Sequence, residues 1–247
     1  MPNRFVEKLC AFVELTAKEV AALEAATARP QAFGPRRDII REGDQPGAVI
    51  VVLGGWAFRY KMLPNGSRQI MAFLMPGDAC DLNIGMLAEM DHSIQTATRA
   101  EVVRISREAM DDLMTRHQGI ARAMYVAQLI DEGTLRAWIV SLGRRSSIER
   151  VAHLLFELYV RGVHTGLASE GRIELPLSQV MLADSLGMTP VHINRVLQEL
   201  RRSGAVELRR GLMHILEPVL LTRISGFDDN YLHRRLRAFR RKPDDEP

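Results

Sequence analysis

Cysteine is nearly absent: the 247 residues hold two, Cys10 and Cys80, far apart and outside any C-x-x-C spacing. A zinc site or a cysteine-ligated iron–sulfur cluster needs several thiolates, so neither is supported, and a reducing, cytoplasmic setting fits. Long apolar runs are missing too. No window approaches the roughly 20 apolar residues of a membrane span. The opening MPNRFVEKLCAFVEL interrupts its apolar residues with acidic ones and lacks a small-residue cleavage site; the expectation is a protein neither exported nor membrane-spanning. There is also no nucleophile–base–orienter set, no phosphate-cradling glycine loop and no cluster of metal ligands. An enzyme using Asp81 and His92 would lack the rest of its machinery, so no catalytic residue and no metal site is assigned. Finally, charge of one sign does not dominate: 33 Lys+Arg against 30 Asp+Glu leave +3, which permits a polyanionic partner without requiring one.

What is present is unevenly distributed. Residues 141–247 carry 17 Lys+Arg against 13 Asp+Glu, whereas residues 1–140 carry 16 against 17, so the basic excess is C-terminal. Apolar positions at helical spacing (Phe5, Leu9, Phe12, Val13, Val20, Leu23) and a Thr16–Glu19 capping box predict short helices first. From Pro30 to about Ile105 the texture becomes short β-rich runs, Asp38 to Ile40, Ala48 to Leu53, Trp56 to Met62, Gln69 to Leu74 and Val102 to Ile105, parted by Gly, Pro and Asn. This reads as a β-barrel or roll. Within it Pro64-Asn65-Gly66-Ser67 predicts a tight hairpin in which Asn-Gly supplies positive φ angles.

After Ser106 about 35 residues run almost free of Gly and Pro, with apolar residues spaced for one long helix. Such a helix outruns one small domain, so its Met124 to Ile139 stretch, with Met124, Ala127, Ile130 and Leu135 as interface residues, is expected to pack on a partner copy; an all-intrachain core helix is the alternative. Gly143 breaks the pattern, and Ser146 or Ser147 caps a new amphipathic helix carrying Val151, Leu154, Leu155, Leu158 and Tyr159. The expected division is therefore 1–106 for helices and a sensing β-roll, 107–142 for the long helix, 143–225 for the next domain and 226–247 for a basic tail.

Residues 177–202, LSQVMLADSLGMTPVHINRVLQELRR, contain a helix capped by Ser178, a corner at Gly187 and a second helix capped by Thr189 with Pro190 in its first position. Val180, Leu182, Ala183 and Leu186 would pack against Ile193, Val196, Leu197 and Leu200 as a helix-turn-helix. The second helix then exposes Val191, His192, Asn194, Arg195, Gln198 and Arg202. Side chains of its first two turns reach deepest into a major groove, which suits Arg195 to guanine, Asn194 to adenine and Val191 to a thymine methyl, with Thr189, His192, Ser178 and Gln179 facing phosphates. An ion pair with Glu199 is the competing use of Arg195, and a solvated or core contact that of His192. Residues 204–215 read as a β-hairpin with Arg209 and Arg210 at its tip, a basic wing or a merely solvated turn.

The β-roll, long helix, Gly hinge and TPVHINRVLQELRRSGAVEL segment together resemble the CRP/FNR family of bacterial transcription regulators over roughly residues 10–220. The resemblance implies an α+β chain: an N-terminal double-stranded β-helix (a jelly-roll-like β-roll), a long dimerisation helix and a C-terminal winged helix-turn-helix. It also implies a homodimer on pseudo-palindromic double-stranded DNA, and RNA polymerase as a further partner. Arg195 matches the arginine of the family's recognition helix, while Val191 stands where the family often has a glutamate, so the target site is expected to differ. Cyclic-AMP-binding members pair glycine with glutamate for the ribose and arginine with serine for the phosphate; here PGDACDLNIGMLAEMDHSIQTAT puts Asp81-Leu82 and His92-Ser93 at those places. An anionic Asp81 and a neutral His92 suit a cyclic phosphate poorly, so cyclic-AMP dependence is not expected. Cys10 alone cannot replace the family's N-terminal cysteine cluster, and no heme ligand stands out among seven histidines. Asp81, Leu82, Asn83, His92 and Ser93 either line a pocket for another small-molecule effector or cap one another's turns. Cys80 is either a redox sensor or a small buried hydrophobe. The segment DDNYLHRRLRAFRRK adds phosphate contacts or packs on the winged domain.

Overall fold

The computed structural model describes residues 3–80, 82 and 87–233. Two short helices lead, α1 (Arg4–Phe12) and α2 (Ala17–Ala26), the second held by the Thr16–Glu19 capping box. Eight strands follow: β1 (Gln31–Phe33), β2 (Asp38–Ile40), β3 (Ala48–Gly54), β4 (Ala57–Met62), β5 (Arg68–Leu74), β6 (Ala79–Cys80), β7 (Ser93–Thr96) and β8 (Ala100–Ser106). They form two antiparallel sheets, ordered β1-β8-β3-β6 and β2-β7-β4-β5. Ile39, Ile50, Val52, Leu74, Cys80, Ile94 and Val102 fill the space within the roll. The opposite side of β3 and β8 offers Val49, Val51, Val103 and Ile105 to Phe5, Leu9, Leu23 and the helices that follow. Both faces of β3 are thus covered, which is why AVIVVLG reads as a continuous apolar run rather than an alternation.

The β4–β5 hairpin forms where Pro64-Asn65-Gly66-Ser67 predicts one, by different turn chemistry. Gly66 alone takes a positive φ, +82°, and its N–H donates to the Leu63 carbonyl at 2.9 Å. Asn65 instead uses its side-chain oxygen to accept from the Ser67 N–H at 3.0 Å. This Asx contact keeps Asn65 out of the left-handed region that a two-residue turn would require.

The stretch expected as one helix from 107 to 142 is two: α3 (Arg107–Arg116) and α4 (Gln118–Arg144), parted at His117 (φ −130°, ψ 93°). No Gly or Pro stands at the break. A tertiary contact supports the new start: α4 has no side-chain cap of its own, and Glu19 reaches from α2 to accept the Gly119 N–H at 2.8 Å, placing a carboxylate at the helix N-terminus. Nor does Gly143 end α4. The helix continues to Arg144, and extended Arg145 separates it from α5 (Ser147–His164), whose N-cap residue is Ser146. Arg150 secures this joint by donating to the Leu142 and Arg145 carbonyls at 3.1 and 3.2 Å and to the Leu186 carbonyl at 2.8 Å.

The C-terminal unit adds β9 (Ala168–Ser169), β10 (Arg172–Glu174), α6 (Gln179–Leu186), α7 (Pro190–Arg202), β11 (Val206–Arg209), β12 (Leu212–Ile215), α8 (Pro218–Ser225) and a 3-10 turn at Asp229–Leu232. Its sheet runs β11-β12-β10-β9. The β9–β10 hairpin, turned on Glu170 (φ 49°) and Gly171 (φ 76°), escapes the sequence reading because its strands are only two and three residues long.

A buried polar network fastens this unit to the roll. Glu157 of α5 is fully buried and accepts from Trp138 Nε1 of α4 at 3.1 Å and from the Tyr231 hydroxyl at 2.9 Å. One turn on, Arg161 donates to Asp78 at 2.8 Å and to the Phe73 carbonyl at 2.8 Å, and Lys8 of α1 also pairs with Asp78. Burial pushes the Asp78 carboxyl up, but Lys8 and Arg161 outweigh it and hold it at about 2. For Glu157 burial wins over Arg161 and the two donors, and its carboxyl stands above the ordinary range. The first part of the expected basic tail thus packs at the α4–α5 joint: Leu232 is buried, and the Tyr231 carbonyl passes 2.5 Å from where a Cβ on Gly133 would sit.

Two outcomes follow. Tyr231→Phe removes one donor from a buried carboxylate and should cost about 2 kcal/mol in urea unfolding. His153, buried beneath the Phe227 and Tyr231 rings, is lowered from 6.5 to about 4 by desolvation and then by Arg145. The unfolded chain therefore takes up a proton that the folded chain refuses, and stability drains as pH falls through that window. In His153→Phe the difference between urea midpoints at about pH 7 and about pH 5 should shrink.

Candidate nucleic-acid interface

The corner of the helix-turn-helix is built as its residues dictate. Ser178 Oγ accepts from the Met181 N–H and Thr189 Oγ1 from the His192 N–H, each at 3.2 Å, while Gly187 closes α6 in the left-handed region (φ 63°, ψ 41°). Leu182, Ala183 and Leu186 of α6 are buried with Ile193, Val196 and Leu200 of α7, and Leu197 packs at the margin. Val180 departs from expectation. It is half exposed on the outer face of this eight-residue helix, and Met181 packs against the core instead.

With that face buried, α7 turns Val191, Asn194, Arg195, Gln198 and Arg202 to solvent, with His192 partly covered. Val191 is 81% exposed, a high value for an apolar side chain on a rigid helix. Among the described residues no ion pair joins Arg195 to Glu199 or to any other carboxylate. Ser178, Gln179 and Thr189 are exposed at the two helix starts, where free N–H groups suit phosphate oxygens.

The wing is a two-residue hairpin. Arg209 pairs with Leu212 across the ladder, and Arg210 (φ 49°) and Gly211 (φ 80°) are both left-handed, the geometry that matches strand twist. Glu207 accepts from Arg209 at 2.7 Å and draws Arg201 to 3.9 Å, so the wing folds back beside α7. These pairs are exposed and therefore weak, and a phosphate can take the place of Glu207. The unit is anchored to the roll from behind, by Arg68 to Asp184 at 2.8 Å and by Gln69 to the Ser185 carbonyl at 3.2 Å.

On α4 the residues expected at a partner interface separate. Met124 is fully buried in the core beneath the roll, because its side of the helix faces α1 and β3, and it is not available to a partner. Ala127 and Ile130 are partly covered and Leu135 is exposed. Tyr125 (63% exposed), Leu129, Ile139 (69%) and Val140 are exposed on α4 as well, Leu129 one turn after Tyr125 and Ile139 one turn after Leu135.

The expected effector residues also divide. A cavity of about 410 Å³ between the roll and α4 is lined by Leu82 and His92 together with Arg59, Asp91, Asp131 and Glu132. Ser93 is not part of it: buried, it accepts from the Glu42 N–H at 2.9 Å and serves as a local cap. Asp81 and Asn83 lie outside the described residues. Arg59, missed in the sequence because it sits mid-strand, is buried and pairs with Asp131 at 2.6 Å, while His92 Nδ1 lies 2.7 Å from Asp91. Among the described residues, no group of three or more His, Cys, Asp or Glu is placed to hold a metal ion, and no helix is long and apolar enough to cross a membrane. Cys10 is exposed and Cys80 buried.

Comparison with known proteins agrees with this geometry. Residues 30–117 match a cyclic nucleotide-binding domain and residues 149–224 a Crp-like helix-turn-helix domain. The chain belongs to the CRP/FNR family. The nitrogen fixation regulation protein FixK of Bradyrhizobium diazoefficiens is 28% identical over 75% of this chain and 77% of its own. The transcriptional activator protein FnrL of Cereibacter sphaeroides is 24% identical over 72% of each. The solved structure of FixK2 from Bradyrhizobium japonicum superposes with a TM-score of 0.72 at 23% identity, covering 81% of this chain and 98% of that one. As a CRP/FNR protein the chain is a DNA-binding transcription regulator, not an enzyme, and the α+β order of β-roll, long helix and winged helix-turn-helix is the one expected.

If α7 reads bases and the wing reads backbone, two variants behave differently in anisotropy titrations on a bound duplex. Arg195→Ala loses about 1–3 kcal/mol and relaxes preference at one base pair. Arg210→Ala weakens all duplexes alike and lowers the salt slope by about one.

Proposed function

We propose that this regulator binds pseudo-palindromic double-stranded DNA as a homodimer joined along α4, reading bases through Val191, Asn194 and Arg195 and phosphates through Ser178, Gln179, Thr189, His192, Arg209 and Arg210. The observation that carries the reading is the outer face of α7: an exposed amide, a guanidinium without an ion pair among the described residues, and an exposed Val191 on one capped helix. Val191 favours a thymine methyl where a glutamate would accept from cytosine, so the half-site differs at that position from the family's usual one. The exposed stripe of Tyr125, Leu129, Leu135 and Ile139 supports pairing of two α4 helices, and relatives described as activators support contact with RNA polymerase in the cytoplasm.

Control by cyclic AMP is not part of the proposal. The cavity under α4 is ringed by Asp91, Asp131 and Glu132, and its buried Arg59 already faces Asp131, so a cyclic phosphate would meet more carboxylate than cation. Another small-molecule effector remains compatible with that cavity, through Leu82 and His92. The expected division at 106, 142 and 225 serves as a working map, with the start of the tail drawn into the α4–α5 joint.

Fluorescence anisotropy on a pool of palindromic duplexes at about 50 and about 200 mM salt tests the assignment. Binding without nucleotide, falling steeply with salt, is the expected result; binding that appears only with cyclic AMP would refute the reading of the cavity. In sedimentation velocity, Ile139→Glu should shift the protein towards monomer and abolish tight binding to the full palindrome.

A further inference from the structure

A second cavity, of about 420 Å³, opens at the joint where α4 ends, α5 begins and the C-terminal segment crosses both. Its walls come from α4, the link that follows it and the start of α5, and a segment about eighty residues further on. Arg136 and Val140 project from α4, Arg145 occupies the extended link, and His233 and Tyr231 come from the segment after α8. Arg145 Nη1 and His233 Nε2 are buried with no hydrogen-bond partner among the described residues. A buried guanidinium N–H left unpaired is costly, and native proteins leave few such groups without a bound species to accept from them. Among the described residues Arg136 is engaged only by an exposed contact to Glu132 at 3.5 Å, which an incoming anion can replace. Asp228, the carboxylate at the same cavity, is committed to its own turn, accepting from the Asn230 N–H at 2.9 Å. Val140 and the Tyr231 ring, stacked on His153 at 19°, supply apolar wall for the rest of a small molecule.

We infer that this cavity is a binding site for a small organic anion, a phosphate or carboxylate group on an apolar body, whose oxygens accept from Arg145, Arg136 and His233. The site is distinct from both the α7 surface and the cavity beneath the roll. An occupant bridges α4 to the link that starts α5, and so acts on the angle at which the helix-turn-helix is held. Bidentate geometry at a guanidinium suits either oxyanion, and the test separates the two sources.

Phenyl phosphate and benzoate, with phenol as the uncharged control, are titrated calorimetrically into the full-length protein at constant ionic strength. Saturable 1:1 binding of one anion and none of phenol is expected, with phenyl phosphate or benzoate alone identifying the headgroup. Affinity should drop at least tenfold in Arg145→Gln and in His233→Gln, and persist unchanged in Arg195→Ala, whose lesion lies on the DNA surface. Should Arg145→Gln fail to fold, His233→Gln and Arg136→Gln, both on the cavity wall, decide. Absence of saturable binding, binding indifferent to these substitutions, or binding lost in Arg195→Ala would each overturn the site. The result is independent of DNA affinity, so failure of the proposed function and failure of this site are told apart.

Discussion

The arrangement of the two domains rests on two carboxylates withdrawn from water, Asp78 and Glu157. Each has to find donors to be tolerated in a dry interior, and those donors come from different parts of the chain: Lys8 and Arg161 for the first, Trp138, Tyr231 and Arg161 for the second. Because Arg161 serves both, α5 cannot rotate against the roll without leaving at least one charge short of a partner. The Phe73–Trp138 edge contact, with ring centroids 6.1 Å apart, adds aromatic packing between β5 and α4. Apolar packing gives the joint its area, and the shared arginine gives it a definite orientation.

Much of this molecule is written in local patterns. Five of the eight strands of the roll, the capped corner of the helix-turn-helix and the wing are readable because their signals lie within a few residues, as at Pro64 to Ser67 and Thr189-Pro190, whereas the short β1, β6 and β7 are not. What was not readable depends on partners distant in sequence. The break at His117 coincides with a contact from a distant residue, Glu19, about a hundred positions earlier, which accepts the Gly119 N–H. Met124 carries the same apolar signal whether it faces the roll or a partner, and only the docking of α1 assigns it to the core. Gly143 has the look of a hinge, yet a glycine in a helix is merely permitted to break it, and the capping of α5 at Ser146 decides where α4 stops.

The candidate sites follow the same rule. The α7 face was legible because a helix with one buried side has a calculable exposed one, and Val191, Asn194 and Arg195 fall where the periodicity puts them. The cavity under α4 was not, since Arg59 and Asp131 come from strand and helix and meet only in the fold. Ser93 shows the converse: a residue well placed in a resemblance can be consumed by a backbone N–H. Position in a motif indicates where a side chain begins, and the hydrogen bond it finds determines what is left for a ligand.

Gly133 carries one implication for the history of the chain. Its missing side chain is needed because the Tyr231 carbonyl passes so close; without that crossing segment, alanine would be the better residue in the middle of a helix. The glycine and the C-terminal segment are therefore sterically coupled, each position constraining the other. In lineages that keep the segment, this position should be locked to glycine, and in those that have lost it, free to drift towards better helix formers.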